Sequence, residues 1–147
     1  MPGQRSLHRD RRRLAVAYLA DHDHVGVLAQ RLVRRLCVHC AREEDAAPEM
    51  VERFGLDRRQ AGPIRLWHPV GCPQCRNTGY RGRQAIAEFL QPTPEIERLI
   101  FSRAEHTEIE RAAVAAGMVT MFDAGLDAAM AGTTTIEEVV RSIRAEA

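Results

Sequence analysis

Four cysteines in two closely spaced pairs constrain this chain more than any other feature. Cys37 and Cys40 form one C-x2-C pair, and Cys72 and Cys75 form a second pair after 31 intervening residues. Two residues between thiolates let one tight turn present both sulfurs to a metal, and two such turns supply four tetrahedral sulfur ligands. The spacing therefore predicts a structural zinc site with all four cysteines as ligands.

A redox dithiol and an iron–sulfur cluster are the alternatives that the same cysteines allow. A thioredoxin-type site needs a C-x2-C pair that opens a helix after a strand, and neither pair is predicted to lie that way. Glycines flank the second pair, where backbone amides can approach and donate hydrogen bonds to the sulfurs. We expect His39, between the first two cysteines, to be exposed rather than a ligand. Because a four-cysteine zinc site has no open position for a catalytic water, its predicted role is structural.

The basic residues exclude several kinds of chemistry. All 21 are arginine, against 20 acidic residues, and lysine is absent. Without lysine the chain forms no Schiff base and has no phosphate-binding-loop lysine, and the GxxxxGK[ST] motif is absent as well. We therefore expect that the chain is not an enzyme and does not hydrolyse a nucleoside triphosphate. The near-neutral balance also argues against a nucleic-acid-binding surface spread over the whole protein.

Apolar spacing predicts the elements around the cysteines. Residues 25–36 carry apolar side chains at three- and four-residue steps, which predicts an amphipathic helix leading into the first pair. A short helix is predicted over 48–54, with proline at its start and Gly55 as its stop. Strands are predicted over 64–67 and 84–90, on either side of the second pair.

Residues 93–147 are typical of helices and hold ten acidic residues against five arginines. Capping residues mark three helix starts, and a further helix is predicted over 121–130. Together these patterns predict an α+β fold, mostly α, in which a tetracysteine zinc-knuckle hairpin is followed by a small C-terminal helical bundle. The predicted helix starts are Thr93 with Pro94, a capping box of Thr107 with Glu110, and a capping box of Thr135 with Glu138.

Three segments are predicted. Residues 1–24 form an atypical basic segment expected to be poorly ordered, residues 25–92 a helix plus the four-cysteine module, and residues 93–147 the helical subdomain. No apolar run is long enough to cross a bilayer, and no convincing secretory signal is present, which favours a cytoplasmic location.

Once the cysteines are placed in context, the sequence resembles the C-terminal zinc-bearing module of type II secretion and type IV pilus assembly ATPases, the GspE/PulE and PilB kind. The matching segments occur in the family's order with similar gaps and cover residues 25–147. They are residues 28–34 before the first cysteine pair, the second pair followed by TGYRGR at 78–83, EFL at 88–90, and GTTTIEEVVR at 132–141.

The resemblance implies one part of a motor. Members of the family are cytoplasmic hexameric ATPases docked on an inner-membrane platform protein, and their nucleotide-binding motifs precede the region matched here. Carried onto this chain, the resemblance implies Zn²⁺ held by the four cysteines and a non-catalytic, protein-interaction role. The implied partners are secretion or pilus ATPase subunits and the platform protein, and the implied location is cytoplasmic or peripheral at the inner membrane.

Residues 1–24 depart from the family pattern, which favours a truncated gene product or a stand-alone remnant with a replaced start. The alternative function is a stand-alone zinc-ribbon protein that binds nucleic acid. The acidic C-terminal region and the few aromatic residues argue against nucleic acid as a partner.

Overall fold

A computed structural model describes residues 15–21 and 24–143 of the 147-residue chain. Within them, a three-stranded antiparallel sheet of order β1-β2-β5 and a two-stranded sheet of β3 and β4 are accompanied by five α-helices. The strands are β1 (Ala15–Asp21), β2 (His24–Leu36), β3 (Arg42–Asp45), β4 (Arg65–His68) and β5 (Tyr80–Leu90). The helices are α1 (Pro48–Phe54), α2 (Pro94–Phe101), α3 (His106–Ala115), α4 (Met121–Met130) and α5 (Ile136–Ile143).

The helix predicted over 25–36 is wrong, because this segment is strand β2. The strand pairs antiparallel with β5, and their register runs from Val27 opposite Leu90 to Leu36 opposite Tyr80. The helical pattern placed Leu32 on the buried face, but its side chain is 58% exposed while Val33 is fully buried. A long partner strand that completes the backbone hydrogen bonds decided the conformation over the local periodicity.

Residues 15–21 form edge strand β1, which pairs antiparallel with β2. They therefore differ from the poorly ordered segment predicted over residues 1–24. Residues 1–14 and 22–23 lie outside the described part of the chain, so that prediction is not addressed for them.

Helix α1 and strand β4, between the cysteine pairs, lie at or within one residue of their predicted positions, whereas no strand was predicted at β3. Helix α1 has proline in its first turn, and Gly55 ends it in the left-handed conformation, with φ of 60°. The strand predicted over 64–67 is β4, which pairs with β3. The strand predicted over 84–90 is longer than expected, since β5 begins at Tyr80.

The C-terminal part is helical, as predicted. Thr93 caps α2 by accepting a hydrogen bond from the N–H of Ile96, and Thr120 caps α4 in the same way. The capping box predicted at Thr107 is wrong, because α3 begins one residue earlier and Glu105 occupies the N-cap position without a side-chain bond.

Helices α4 and α5 pack on the strands as well as on each other: α4 contacts β4 and β5, and α5 contacts β2. The main core accordingly joins the segment between the cysteine pairs to the C-terminal helices. Its buried members are Leu56, Ile64, Leu66, Leu126, Ala129, Ile136 and Val139. A smaller cluster of Val33, Ile86 and Met121 holds α4 against the three-stranded sheet.

Candidate metal centre

The first cysteine pair lies where β2 ends. Cys37 is fully buried, and the chain reverses immediately after it, because the N–H groups of Cys40 and Ala41 both donate to the Cys37 carbonyl at 3.1 and 2.9 Å. This turn brings Cys40 back beside Cys37. His39, between them, is exposed.

The second pair is built on a single 3-10 turn. Cys72 is extended, and Pro73–Cys75 forms the turn, with proline fixing its first position. The Cys75 sulfur accepts N–H hydrogen bonds from Cys72 and from Gly79, both at 3.2 Å. Gly79 adopts φ of +75° and lies so close to Pro69 that a Cβ would come within 2.3 Å of the proline ring. Only glycine can therefore bring its amide to this sulfur without a shift of the loop.

The four sulfurs come together at one point between the loops. All four Sγ atoms lie within 4.8 Å of one another. The Sγ–Sγ distances are 3.9 Å for Cys37–Cys72, 3.8 Å for Cys40–Cys75 and 3.8 Å for Cys72–Cys75. Metal–sulfur bonds of about 2.3 Å in a tetrahedron separate the sulfurs by about 3.8 Å. The spacing and the all-sulfur donor set thus fit a tetrahedral metal ion.

Backbone amides set the charge state of the sulfurs unequally. Burial raises the pKa of the Cys40 thiol to about 11, against an opposing hydrogen bond from the Gly71 N–H at 3.3 Å. Burial also acts to raise the pKa of Cys75, but hydrogen bonds from the N–H groups of Cys72 and Gly79, together with those to the Cys72 and Cys40 side chains, outweigh it and lower that pKa to about 6. A lower pKa favours the thiolate, which is the form of cysteine that binds metal.

A buried carboxylate on α5 that contacts the end of β2 was not identified from the sequence. The sequence assigned Glu138 to a capping box, and its backbone N–H does donate to the Thr135 hydroxyl at 3.2 Å. Its carboxylate, however, is 1% exposed and accepts hydrogen bonds from two arginine side chains, Arg34 on β2 and Arg141 on α5. Arg34 and Glu138 are 104 residues apart in the sequence, so no local sequence pattern could predict that they pair.

Charge pairing governs the ionisation of this cluster. Burial alone would raise the pKa of Glu138, but hydrogen bonds from Arg34 and Arg141 bring it below its ordinary value. The hydrogen bond to Glu138 in turn raises the pKa of Arg34. The Arg34 guanidinium also stacks on Tyr80, with its central carbon 4.1 Å from the ring centroid.

An exposed basic surface surrounds the cysteine loops. Five arginines of these loops and the adjoining strand ends are exposed and form no ion pair with any residue that the structure describes. Two exposed valines, Val38 and Val70, lie at the tips of the loops. The five are Arg35, Arg42, Arg76, Arg81 and Arg83.

Two further features lie away from the sulfurs. A groove of about 670 Å³ runs between the three-stranded sheet and helices α3 and α4, and none of the four cysteines lines it. Among residues 15–21 and 24–143, no helix has the length and apolar character needed to span a membrane.

Most of the length of this chain is similar to parts of known proteins. The family profile described as "Type II/IV secretion system protein" matches residues 17–141. Type IV pilus assembly ATPase PilB of Thermus thermophilus is 44% identical over 116 residues, which are 79% of this chain and 13% of that protein. Type II secretion system protein E of Xanthomonas campestris is 46% identical over 125 residues, 84% of this chain and 22% of that protein.

Type II secretion system ATPase E of Vibrio cholerae is 38% identical over 124 residues, 84% of this chain and 24% of that protein. The chain thus spans 13–24% of the length of these three relatives. The profile match begins inside the segment 1–24 that was predicted to be atypical, continues through the cysteine loops and ends within helix α5. The chain belongs to the type II/IV secretion system protein family.

Proposed function

We propose that this chain is the zinc-bearing C-terminal module of a type II secretion or type IV pilus assembly ATPase, with one Zn²⁺ held by Cys37, Cys40, Cys72 and Cys75. The observation that carries the proposal is the convergence of four sulfurs at 3.8–3.9 Å along three edges. Zinc has no redox chemistry and accepts four thiolates in a closed tetrahedron. When bound, the ion supplies a rigid cross-link between the two cysteine loops.

The module is non-catalytic in this proposal. Four protein ligands leave the metal no position for a water or substrate, and the sequence contains no lysine to contact a nucleotide phosphate. The relatives are named ATPases, but the chain matches 13–24% of their length. The metal centre would therefore shape and stiffen the module, while nucleotide chemistry belongs to other parts of such proteins.

The proposed role is protein–protein interaction within a protein-export motor. Family resemblance points to ATPase subunits of a hexamer and to an inner-membrane platform protein as partners, at the cytoplasmic side of the membrane. Support comes from the cysteine loops, which present exposed arginines and two valines beside the stiffened centre. Such a surface offers bidentate donors and a small apolar tip to an interacting protein.

Metal analysis of the purified chain tests the proposal directly. We expect one zinc per chain by elemental analysis, and less than about a tenth of that in a variant with Cys40→Ser and Cys75→Ser, because two remaining thiolates cannot close the site. His39→Ala is the matched control, since its exposed side chain lies in the same loop, and it keeps the full zinc content. Iron with a visible charge-transfer absorption, or no metal together with rapid oxidation to disulfides, would contradict a zinc centre.

A second candidate function, nucleic-acid binding, is favoured by the five exposed arginines around the loops. A gel-shift titration against DNA and RNA at two salt concentrations separates the two. Binding that weakens steeply as salt rises would support a nucleic-acid ligand. We expect the chain to bind DNA and RNA no more tightly than a nonspecific polycation does.

A further inference from the structure

A series of hydrogen bonds, joined by short stretches of backbone, leads from a cysteine sulfur to helix α5. Gly79 stands at its start, because its N–H donates to the Cys75 sulfur at 3.2 Å and its carbonyl accepts the Cys37 N–H at 2.9 Å. One residue thereby joins a sulfur of the second loop to the backbone of the first loop. These two bonds tie the second cysteine loop to the residue that follows β2.

The end of β2 is held from the other side by the turn between α4 and α5. The N–H of Leu36 donates to the carbonyl of Thr133 at 2.9 Å. The hydroxyl of Thr134, which is fully buried, donates to the carbonyl of Arg34 at 2.8 Å. The pairing of β2 with β5 is irregular between Arg34 and Leu36, so these bonds replace part of the regular ladder there.

Glu138 closes the series from within α5. One carboxylate oxygen accepts the backbone N–H of Arg34 at 3.0 Å, and the other accepts Nε and Nη2 of the same residue at 3.0 and 2.7 Å. Glu138 is 1% exposed, whereas the side chains of Arg34 and Arg141 are 46% and 62% exposed. If Arg34 moves, the buried carboxylate keeps Arg141 but loses its bonds to the β2 end, and a buried carboxylate with fewer partners is less stable.

We propose that Glu138 couples metal binding at the four cysteines to the docking of α5 on β2. The inference rests on the proposed metal centre and goes beyond it, because Glu138 is not a ligand and lies in another element. Coupling between two events is reciprocal: if α5 docking favours metal binding, bound metal must favour α5 docking by the same factor. Glu138 acts here as a positioning residue, through Arg34 and the loop backbone.

Zinc affinity of the purified full chain provides the first test, measured by competition with a chromophoric chelator. We expect Glu138→Gln to weaken zinc affinity about tenfold, in the range that residues supporting a metal site show, although all four cysteines are intact. Glu137→Gln is the matched control, since this neighbouring carboxylate is exposed, and it leaves the affinity unchanged. Thr134→Val removes a different link to the same strand end and should weaken affinity in the same direction.

General destabilisation is separated from coupling by a core variant elsewhere. Ile96→Ala lies in α2, where Ile96 is fully buried, and it lowers stability without touching the series of bonds. While it remains folded, its zinc affinity should equal that of the wild type. If Glu138→Gln does not fold, Arg34→Gln provides the measurement, because it removes the guanidinium bonds to the carboxylate and leaves Arg141 and the four cysteines in place; we expect it to weaken zinc affinity in the same direction.

Hydrogen exchange measures the effect of bound metal on the docking of α5. Removing zinc from the wild type should raise amide exchange in residues 136–143 at least several-fold, and more than in α2. Wild-type chain that binds no zinc would overturn the metal centre itself. Zinc binding with equal affinity in the Glu138 and Glu137 variants, or unchanged exchange in α5, would overturn the coupling alone.

Discussion

Two separate features require glycine at position 132: a left-handed backbone conformation and close packing against Trp67. Gly132 adopts φ of +74° between α4 and α5, and a Cβ there would come within 2.6 Å of the Trp67 indole. Gly82 adopts a similar φ of +79° but has nothing within 4 Å of the same position. The two glycines therefore separate the cost of the left-handed backbone from the cost of displacing the tryptophan.

We expect Gly132→Ala to destabilise the chain by more than about 2 kcal/mol, and Gly82→Ala by only about 1 kcal/mol. The excess arises because the indole must leave its place between β4 and the turn. Urea unfolding followed by fluorescence of the single tryptophan measures both values. Equal destabilisation by the two substitutions would mean that Trp67 adapts without cost.

Glu138 makes stability depend on pH in a defined direction. Its pKa is lower in the folded state than its ordinary value of about 4.3, so the folded state binds the proton less readily. The stabilisation is therefore fully present above that ordinary value and is lost as pH falls through the folded pKa. Acid pH also releases the metal from every variant. The contribution of Glu138 is therefore measured as the difference in unfolding free energy between the wild type and Glu138→Gln.

We expect the gap in unfolding free energy between wild type and Glu138→Gln to be constant from pH 6 to 8 and to shrink steadily below about pH 4.5. Urea unfolding across this pH series supplies the measurement. Glu137→Gln, with the same change of charge at an exposed position, should track the wild type throughout. A gap that grows on acidification would reverse the sign and contradict a stabilised carboxylate.

At the scale of elements, the burial of two adjacent side chains of β2, Leu32 and Val33, distinguishes a strand from a helix. Val33 is fully buried against Ile86 and Met121, while Leu32 is 58% exposed. We expect Val33→Ala to cost about 2 kcal/mol and Leu32→Ala less than about 0.5 kcal/mol. Chemical denaturation gives both numbers, and the reverse ranking would restore the helical reading of this segment.

The features that the sequence predicted depend on neighbouring residues, whereas the missed features depend on residues far apart in the sequence. The C-x2-C turns, α1, α2 and α4 follow from proline, glycine and capping residues within a few positions, and local sequence was enough to predict them. Strand β2 depends on pairing with β5, whose paired residues lie 44 to 63 positions further along the chain, and its apolar spacing also suits a helix. The Arg34–Glu138 pair spans 104 residues and left no local trace.

At the scale of the whole molecule, the metal centre closes a fold whose core is shared between distant parts of the chain. Residues between the cysteine pairs and residues of α4 and α5 contribute to one buried cluster. The cysteine loops lie at the end of β2 and directly before β5, the two strands on which those helices pack. A metal ion at this junction stabilises every element that the junction holds, and we therefore expect one cooperative unfolding transition.

Removing the metal should then lower the melting temperature of the entire chain. A ligand present at about a thousand times its dissociation constant stabilises the folded state by about 4 kcal/mol, and for a chain of this size that corresponds to about 10 °C. We expect a strong zinc chelator to shift the whole transition by at least that amount, and added zinc to restore it. Circular dichroism of helices and tryptophan fluorescence should report the same midpoint, because Trp67 lies on β4 beside the C-terminal helices.

The variant with Cys40→Ser and Cys75→Ser is the control for this measurement. It lacks two ligands, so its lower melting temperature should not respond to the chelator or to added zinc. A chelator shift confined to tryptophan fluorescence, with helix melting unchanged, would divide the chain into a metal-dependent hairpin and an independent helical subdomain. Coincident midpoints that move together are the outcome required by a core built from both parts.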